Sequence, residues 1–203
     1  MAVFNNSYLI MRHGQSEANV AGLIVSDPAI GCQRFGLTEN GRLQVSNSAQ
    51  GHSETAISQI ICSDFLRTRQ TAQLAAEVLG RPSPQLEVGL RERFFGCWEG
   101  LSDEHYQGVW QHDQTAEMSS KESVTADNVE LVEQVLQRGL KVLEKLEQQY
   151  LDQVILLVSH GDMLQILRTA FVGKPAWQHR SLPHHQTGEI KWLAAQGDKR
   201  PSL

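Results

Sequence analysis

A short phrase that ends in His-Gly occurs twice in the chain. The first copy is Tyr8–Gly14 and the second is Ile155–Gly161, and each consists of an apolar run, one polar residue, a histidine and a glycine. Short apolar runs of this kind predict buried strands, and in open α/β sheets ligands bind outside the carboxyl ends of the strands. If the two strands are parallel neighbours, His13 and His160 face one pocket. Together with Arg12, they would suit the transfer of a phosphoryl group.

A third segment, residues 60–72, predicts a strand that runs into a helix. Ser63 or Asp64 is expected to cap this helix, which places Arg67 in its first turn. Helix N-termini attract phosphate through their free N–H groups and the helix dipole, and arginine matches phosphate oxygens with two parallel hydrogen bonds. Arg12 could supply a second guanidinium group. The two arginines and the two histidines would then hold a phosphate dianion in a narrow site.

The same residues allow one histidine to act as a nucleophile. The attacking imidazole must be neutral, and nearby positive charge disfavours its protonated form. In-line attack on phosphorus would give a phosphohistidine, which water then hydrolyses, so that one difficult step becomes two easier ones. Most of the reduction of the barrier would come from positioning and from neutralisation of the equatorial oxygens.

The leaving alkoxide also needs a proton, and two carboxylates close together in the chain could supply it. Glu92 is followed by aromatic residues and a glycine, which could give a partly dry setting that raises its pKa. Glu99 is the alternative. Spacing alone does not decide between them.

The elements that must position these side chains follow from the hydrophobic pattern. Apolar runs alternate with helical segments, which predicts a three-layer α/β/α sandwich around a mostly parallel sheet. Residues 101–126 interrupt the alternation with one lysine and five carboxylates, and they are interpreted as an inserted lid. The predicted strands are residues 7–12, 57–62, 153–159 and an edge strand at 188–194; the predicted helices are residues 65–79, 127–149 (with Asp127 and Glu130 as a capping pair) and 162–172.

Composition narrows the class of protein. The length of 203 residues predicts one domain over residues 1–203. A net charge of −5 argues against nucleic acid and acidic membranes as partners. The N-terminus lacks the pattern of a signal peptide and no apolar run is long enough to span a membrane, so a cytoplasmic location is expected. The three cysteines suggest neither a disulfide framework nor a zinc site, and the spacing of His179, His184 and His185 matches no standard zinc pattern.

Taken in order, Arg-His-Gly, Ser-Asp-x-x-Arg, Glu-Arg-x-x-Gly and His-Gly resemble the motifs of the histidine phosphatase superfamily, which includes the cofactor-dependent phosphoglycerate mutases. The resemblance covers about residues 7–190. It implies a three-layer α/β/α fold and assigns a role to each site residue. His13 is the phosphorylated nucleophile and Glu92 is the proton donor. The implied phosphate ligands are Arg12, Arg67, His160, the side chain of Asn19 and the backbone N–H of Gly161.

Within the family, residues 95–100 (Phe-Gly-Cys-Trp-Glu-Gly) resemble the phosphatase branch. Mutases usually have a tyrosine before that glycine, and they bind a second anionic group with basic residues after the acid, where this chain is acidic. The leading hypothesis is therefore a phosphomonoester hydrolase that acts on a small phosphorylated metabolite through phospho-His13, without a cofactor or a metal. The alternatives are a phosphoglycerate mutase and a non-catalytic module that binds a phosphorylated ligand. A homodimer is possible.

Overall fold

A computed structural model describes residues 4–119 and 127–193 of the chain. Its sheet has five strands in the order β3-β2-β4-β1-β5 across these residues. Strands β1, β2, β3 and β4 pair in parallel, and β5 pairs antiparallel to β1 at the edge. The expected mostly parallel sheet is confirmed. The strands are β1 (Ser7–Arg12), β2 (Ile57–Cys62), β3 (Gln85–Leu86), β4 (Val154–Ser159) and β5 (Ile190–Trp192).

Helices cover both faces of the sheet, as the three-layer prediction requires. Side chains alternate along a strand, so Leu9 and Met11 of β1 pack with α3 and α4, while Ile10 packs with α6 and α7 on the other face. The helices are α1 (Glu17–Ala21), α2 (Pro28–Gly31), α3 (Glu39–Gln50), α4 (Leu66–Leu79), α5 (Tyr106–Ser119), α6 (Val132–Gln149) and α7 (Gly161–Thr169). Short 3₁₀ helices lie at Val88–Leu90, Gly96–Trp98, Asp103–His105 and Ala176–Ser181.

The expected caps of two helices are wrong. Helix α4 begins after Phe65, with no side-chain cap, because Asp64 is bound to the guanidinium group of Arg91 instead. Helix α6 begins at Val132, five residues later than predicted. The reason is that Glu130 binds Arg138 through its carboxylate and the Phe94 carbonyl through its backbone N–H. Glu130 therefore connects α6 to the chain near Glu92 and does not cap the helix.

Helix α4 ends at Gly80, as expected, and this glycine adopts the left-handed conformation with φ 63°. The helix expected at 162–172 is observed at Gly161–Thr169, and the edge strand expected at 188–194 is the shorter Ile190–Trp192. That residues 1–203 form one domain stays a prediction.

The segment interpreted as a lid contains the 3₁₀ turn Asp103–His105 followed directly by α5. Residues 120–126, the last part of the expected lid, lie outside the described residues. The side chain of Trp110 on α5 stacks on the guanidinium group of Arg180, which is 3.6 Å from the ring centroid. Helix α5 therefore contacts the 3₁₀ helix Ala176–Ser181 through this pair.

Candidate active site

The two His-Gly phrases meet because β1 and β4 are parallel neighbours. Arg12 pairs in register with Ser159, so the next residue of each strand is a histidine. The ring centroids of His13 and His160 are 5.3 Å apart. The expectation that the two imidazoles share one site is therefore met by the geometry. The glycine after His13 is required for packing, since a Cβ on Gly14 would collide with the backbone of Gly41 in α3.

The hydrogen bonds of His13 define a neutral ring with a lone pair on Nε2. Its Nδ1 donates to the carbonyl oxygen of Gly14 at 2.8 Å, and its Nε2 accepts from Nε of Arg67 at 3.1 Å. Burial, followed by the charges of Arg67 and Arg12, holds the pKa of His13 well below the ordinary value for histidine. The ring is therefore unprotonated at neutral pH, as a nucleophile must be.

Two guanidinium nitrogens beside this ring are buried without a hydrogen-bond partner among the described residues, namely Nε of Arg12 and Nη1 of Arg67. Of the other nitrogens, Nη2 of Arg67 donates to the Val25 carbonyl at 2.9 Å, and Nη1 of Arg12 donates to the His185 carbonyl at 3.0 Å. Burial lowers the pKa of Arg67 to about 10. Buried donors without a partner are uncommon and costly, so these nitrogens identify a place for acceptor oxygens.

His160 is completely buried, and both of its ring nitrogens are bonded. Its Nδ1 accepts from Nη2 of Arg67 at 3.0 Å, which leaves Nε2 to donate to Oγ of Ser63 at 3.0 Å. Burial, with Arg67 as the next cause, holds the pKa of His160 well below the ordinary value. Ser63, expected as a helix cap, thus orients His160, and His160 in turn orients Arg67.

Gly161 and Asn19 both lie in the wall of the cavity that opens over His13. Gly161 is the first residue of α7, and a Cβ at this position would lie 3.5 Å from the Arg12 guanidinium group. The N-terminus of α7 therefore lies beside Arg12, where its dipole favours an anion. The Asn19 amide oxygen accepts hydrogen bonds from the backbone N–H and the hydroxyl of Ser16, at 3.0 Å each.

The structure separates the two candidate acids. Glu92 lies in the wall of the cavity, and its Oε1 accepts from the backbone N–H groups of Arg93 and Met163 at 2.9 and 3.2 Å. Burial, followed by the charge of Asp162, raises the pKa of Glu92. Glu99 instead binds the backbone N–H and the hydroxyl of Ser26, at 2.7 and 2.6 Å. Glu92 therefore has the position and the environment of a proton donor.

Sequence reasoning missed several residues of the cavity, which has a volume of about 180 Å³. Asp162 could have been found, because it directly follows the second His-Gly phrase. His184 touches the site through Nη1 of Arg12, which is 2.9 Å from its Nε2. No local signal marks Arg180, which approaches from the 3₁₀ helix after α7. The residues missed are Tyr106, Trp110, Asp162, Arg180 and His184.

Neither a metal cluster nor a membrane-spanning helix is found in the described part of the chain. Within residues 4–119 and 127–193, no group of three or more His, Cys, Asp or Glu side chains is arranged to hold a metal ion. Three histidines close together near the C-terminus have different partners: His179 bonds the Ala176 carbonyl, His184 meets Arg12 and His185 bonds the Glu189 carbonyl. No helix of this part is long and apolar enough to cross a bilayer.

Comparison with known proteins identifies the family. The model of the histidine phosphatase superfamily (branch 1) matches residues 8–202. The chain belongs to this superfamily. The predicted family, its fold and an enzyme of the phosphatase type are thereby confirmed.

Individual histidine phosphatases are similar over most of the chain. The adenosylcobalamin/alpha-ribazole phosphatase of Salmonella typhimurium is 29% identical over 91% of this chain and 87% of its own length. The Photorhabdus laumondii protein named "Probable phosphoglycerate mutase GpmB" is 31% identical over 85% of this chain and 78% of its own. The solved structure of the alpha-ribazole phosphatase from Shigella flexneri has a TM-score of 0.69 and 26% identity, over 91% of this chain and 88% of that one. Because these relatives have different names, the substrate of this chain must be inferred from its own residues.

Proposed function

We propose that the chain is a phosphomonoester hydrolase that transfers a phosphoryl group first to His13 and then to water. The observation that carries this proposal is the pair of buried, unpartnered nitrogens, Nε of Arg12 and Nη1 of Arg67, beside a neutral imidazole. Phosphate oxygens would supply the missing acceptors and would neutralise both guanidinium charges. The lone pair on Nε2 of His13 would face the phosphorus atom once Nε of Arg67 has left it and has turned to a phosphate oxygen.

The reaction proceeds in two balanced steps. Nε2 of His13 attacks phosphorus, the N–P bond forms, and the bond to the leaving oxygen breaks as Glu92 gives that oxygen its proton. Water then attacks the phosphohistidine, and the Glu92 carboxylate accepts a proton from this water. The products are inorganic phosphate and free His13. Arg12, Arg67 and the N-terminus of α7 would hold the equatorial oxygens throughout.

The other expected phosphate ligands would act less directly. His160 supports Nη2 of Arg67 through its Nδ1, so its main contribution would be to hold that guanidinium group in place. Direct contact between His160 and the phosphoryl group stays a prediction. Asn19 would offer its amide nitrogen to the substrate, because its amide oxygen is bonded to Ser16.

The walls of the cavity favour hydrolysis over a mutase reaction. The side chains that the expected lid presents to the cavity are Asp103, Tyr106 and Trp110, and none of them is a cation. The further guanidinium group in the wall, that of Arg180, lies 3.8 Å from the carboxylate of Asp162. A second phosphate dianion would therefore find little positive charge. The site suits a small monoester, and the α-ribazole phosphate in the names of two relatives is one candidate.

The proposal is tested by steady-state hydrolysis of p-nitrophenyl phosphate and by rapid quench with ³²P-labelled substrate. His13→Ala should lower kcat/KM by about 10⁴-fold or more and should abolish an acid-labile phosphoenzyme. His112→Ala, on the exposed face of α5, is the matched control and should keep wild-type rates. A His13→Ala variant with activity within tenfold of wild type would sink the proposal. Binding of phosphate esters without turnover by the wild type would favour the non-catalytic module instead.

Several expectations stay predictions. These are a cytoplasmic location, activity without a metal or another cofactor, a small-molecule monoester as the partner in place of nucleic acid, and a possible homodimer.

A further inference from the structure

Asp162 is a buried carboxylate in the wall of the cavity that the proposed steps do not use. Its side chain belongs to the first turn of α7, and the residue is 5% exposed. Its Oδ2 accepts a hydrogen bond of 2.8 Å from Nε1 of Trp110 on α5. A carboxylate in the first turn also favours a helix through its dipole, but an exposed residue would do this without the cost of burial.

Asp162 forms no short ion pair with its cationic neighbours in the described part of the chain. Nη1 of Arg93 is 3.8 Å from Oδ2 of Asp162, yet the same guanidinium group forms two hydrogen bonds of 2.7 Å to the carboxylate of Asp113. His179 lies 3.9 Å away, and burial lowers its pKa, so that ring is neutral at neutral pH. Arg180 is 3.8 Å away, and its short hydrogen bond, of 2.6 Å, goes to the neutral amide of Gln165, so Asp162 balances its charge only across that longer distance. A buried carboxylate whose one short hydrogen bond comes from a neutral indole is costly, which points to a function.

A second carboxylate in the wall of the same cavity is that of Glu92. Its Oε1 accepts two backbone N–H groups, and one of them belongs to Met163, the residue after Asp162. Such bonds favour the ionised form of a carboxylic acid, which could not donate a proton. Asp162 supplies negative charge that opposes them and, after burial, is the main cause of the raised pKa of Glu92. Two further arginines lie close to Glu92: Arg138 donates to its backbone carbonyl at 3.0 Å and is paired with Glu130, and Arg93 is the next residue in the chain. The other charged and titratable groups near Glu92 are Arg12, Arg67, Arg180, Tyr106 and Asp162.

Trp110 connects this pair of carboxylates to the expected lid. One face of its indole stacks on Tyr106 with centroids 5.3 Å apart, and the Arg180 guanidinium group lies 3.6 Å from the ring centroid. With these contacts the indole is held in place, and its N–H is aimed at Asp162. The helix of the lid therefore fixes where the charge of Asp162 lies.

We propose that Asp162 is a positioning residue that holds the proton on Glu92, and that Trp110 holds Asp162 in place for this role. The inference rests on the proposed phosphatase function. Proton donation by Glu92 to the leaving group therefore depends on a second carboxylate, that of Asp162. This dependence is strongest for esters with a poor leaving group.

The test compares pH profiles of kcat/KM for glycerol 3-phosphate, which has a poor leaving group, and p-nitrophenyl phosphate, which has a good one. In Asp162→Asn, the basic limb for glycerol 3-phosphate should move to lower pH by about one unit or more, because a nearby like charge is removed. The p-nitrophenyl phosphate profile should move less. Asp162→Glu, which keeps the charge, should bring the basic limb part of the way back to its wild-type position. Asp103→Asn removes the same charge from the exposed rim of the same cavity and should leave the limb in place.

A purely structural role gives a different result. It predicts that Asp162→Asn lowers kcat/KM by the same factor for both substrates at every pH, and this outcome would overturn the proposal. Should Asp162→Asn fail to fold in a thermal melt, Asp162→Ser serves as a second neutral variant with the same expected shift. Trp110→Phe, which removes the N–H bonded to Asp162, should move the limb in the same direction by about half a unit, because the charge remains but is no longer held in place. An unmoved limb in Trp110→Phe would refute the role of Trp110. Hydrolysis that survives in His13→Ala would refute the phosphatase function itself, whereas His13-dependent hydrolysis with an unmoved limb would refute only the role of Asp162.

Discussion

Two buried arginines, Arg67 and Arg93, lie close to the cavity and have opposite surroundings. They are 4% and 1% exposed. Arg93 forms two hydrogen bonds of 2.7 Å to the carboxylate of Asp113 and a third, of 2.8 Å, to the Glu130 carbonyl. Arg67 bonds only neutral acceptors, two of which are the rings of His13 and His160, and its Nη1 has no partner in the described structure.

The difference is also visible in the pKa of each guanidinium group. Burial opposes the charge of both. For Arg93, burial is the largest single cause and lowers the pKa, but the hydrogen bonds and charge of Asp113, with the charges of Asp162 and Glu130, together outweigh it and raise the pKa. For Arg67, burial lowers the pKa to about 10. The protein itself therefore neutralises Arg93, while the charge of Arg67 is left for a ligand. A buried arginine in this molecule is structural where it has a carboxylate and functional where it lacks one.

The largest effect expected from the contrast between Arg93 and Arg67 is on the stability of the protein. Asp113→Asn should lower the free energy of unfolding by about 3–5 kcal/mol, because among the described residues it leaves the buried charge of Arg93 facing only the carboxylate of Asp162, 3.8 Å away. Urea unfolding in phosphate-free buffer measures this loss. The double variant Asp113→Leu, Arg93→Met is the control and should cost less than Asp113→Asn, because no charge is left alone. A loss below about 1 kcal/mol in Asp113→Asn would show that the pair is not structural.

A smaller effect, on ligand binding, tests the role of Arg67. Arg67→Gln should weaken the binding of orthovanadate by about 2–3 kcal/mol, close to a hundredfold, because charge-assisted hydrogen bonds to the anion are lost. Calorimetric titration gives the dissociation constants. Arg69→Gln is the matched control, since Arg69 lies on the same helix but is exposed and bonds the Cys32 carbonyl. Equal affinities in wild type and Arg67→Gln would place the anion elsewhere.

The sequence allowed the strands and the histidines to be predicted because both depend on local patterns. Apolar runs predicted β1, β2 and β4, and the repeated His-Gly phrase indicated which strand ends would meet. Helix α3 was not predicted. Its buried residues, Gly41, Val45 and Ala49, are small or isolated among polar neighbours. Its register is set by the close approach of Gly41 to the chain after His13, which no local pattern shows.

The roles of individual charged residues depended on contacts that are distant in the chain. Glu92 and Glu99 are equivalent by spacing, and they are separated by the position of Glu92 in the cavity wall and by the bonds of Glu99 to Ser26. Arg93, the residue after Glu92, binds Asp113, 20 residues away. Arg180 reaches the cavity from beyond α7 by stacking on Trp110. Such pairs are fixed by the packing of α5 and α7, so the sequence could supply the residue types but not their partners.

The smallest expected effect is a pH dependence of stability that arises at His13, the ring bonded to Arg67. Burial and the neighbouring guanidinium groups lower the pKa of His13 in the folded state, while in the unfolded chain it returns to about 6.5. Below that value the unfolded state binds a proton that the folded state does not, so stability is complete above pH 6.5 and falls as the pH decreases. For one such group the loss reaches about 1.4 kcal/mol at pH 5.5.

Urea unfolding at pH 7.5 and 5.5, without phosphate, measures this loss, and His13→Gln should remove about 1.4 kcal/mol from the difference between the two pH values. His112→Gln, which changes an exposed histidine of α5, should leave the difference as in the wild type. If both variants lose the same stability between the two pH values, the ring of His13 is free to take up a proton in the folded state. An imidazole that takes up a proton readily beside a cation must have an anion nearby. The charge of Arg67 would then already be neutralised, and Arg67 would not differ from Arg93 in this respect.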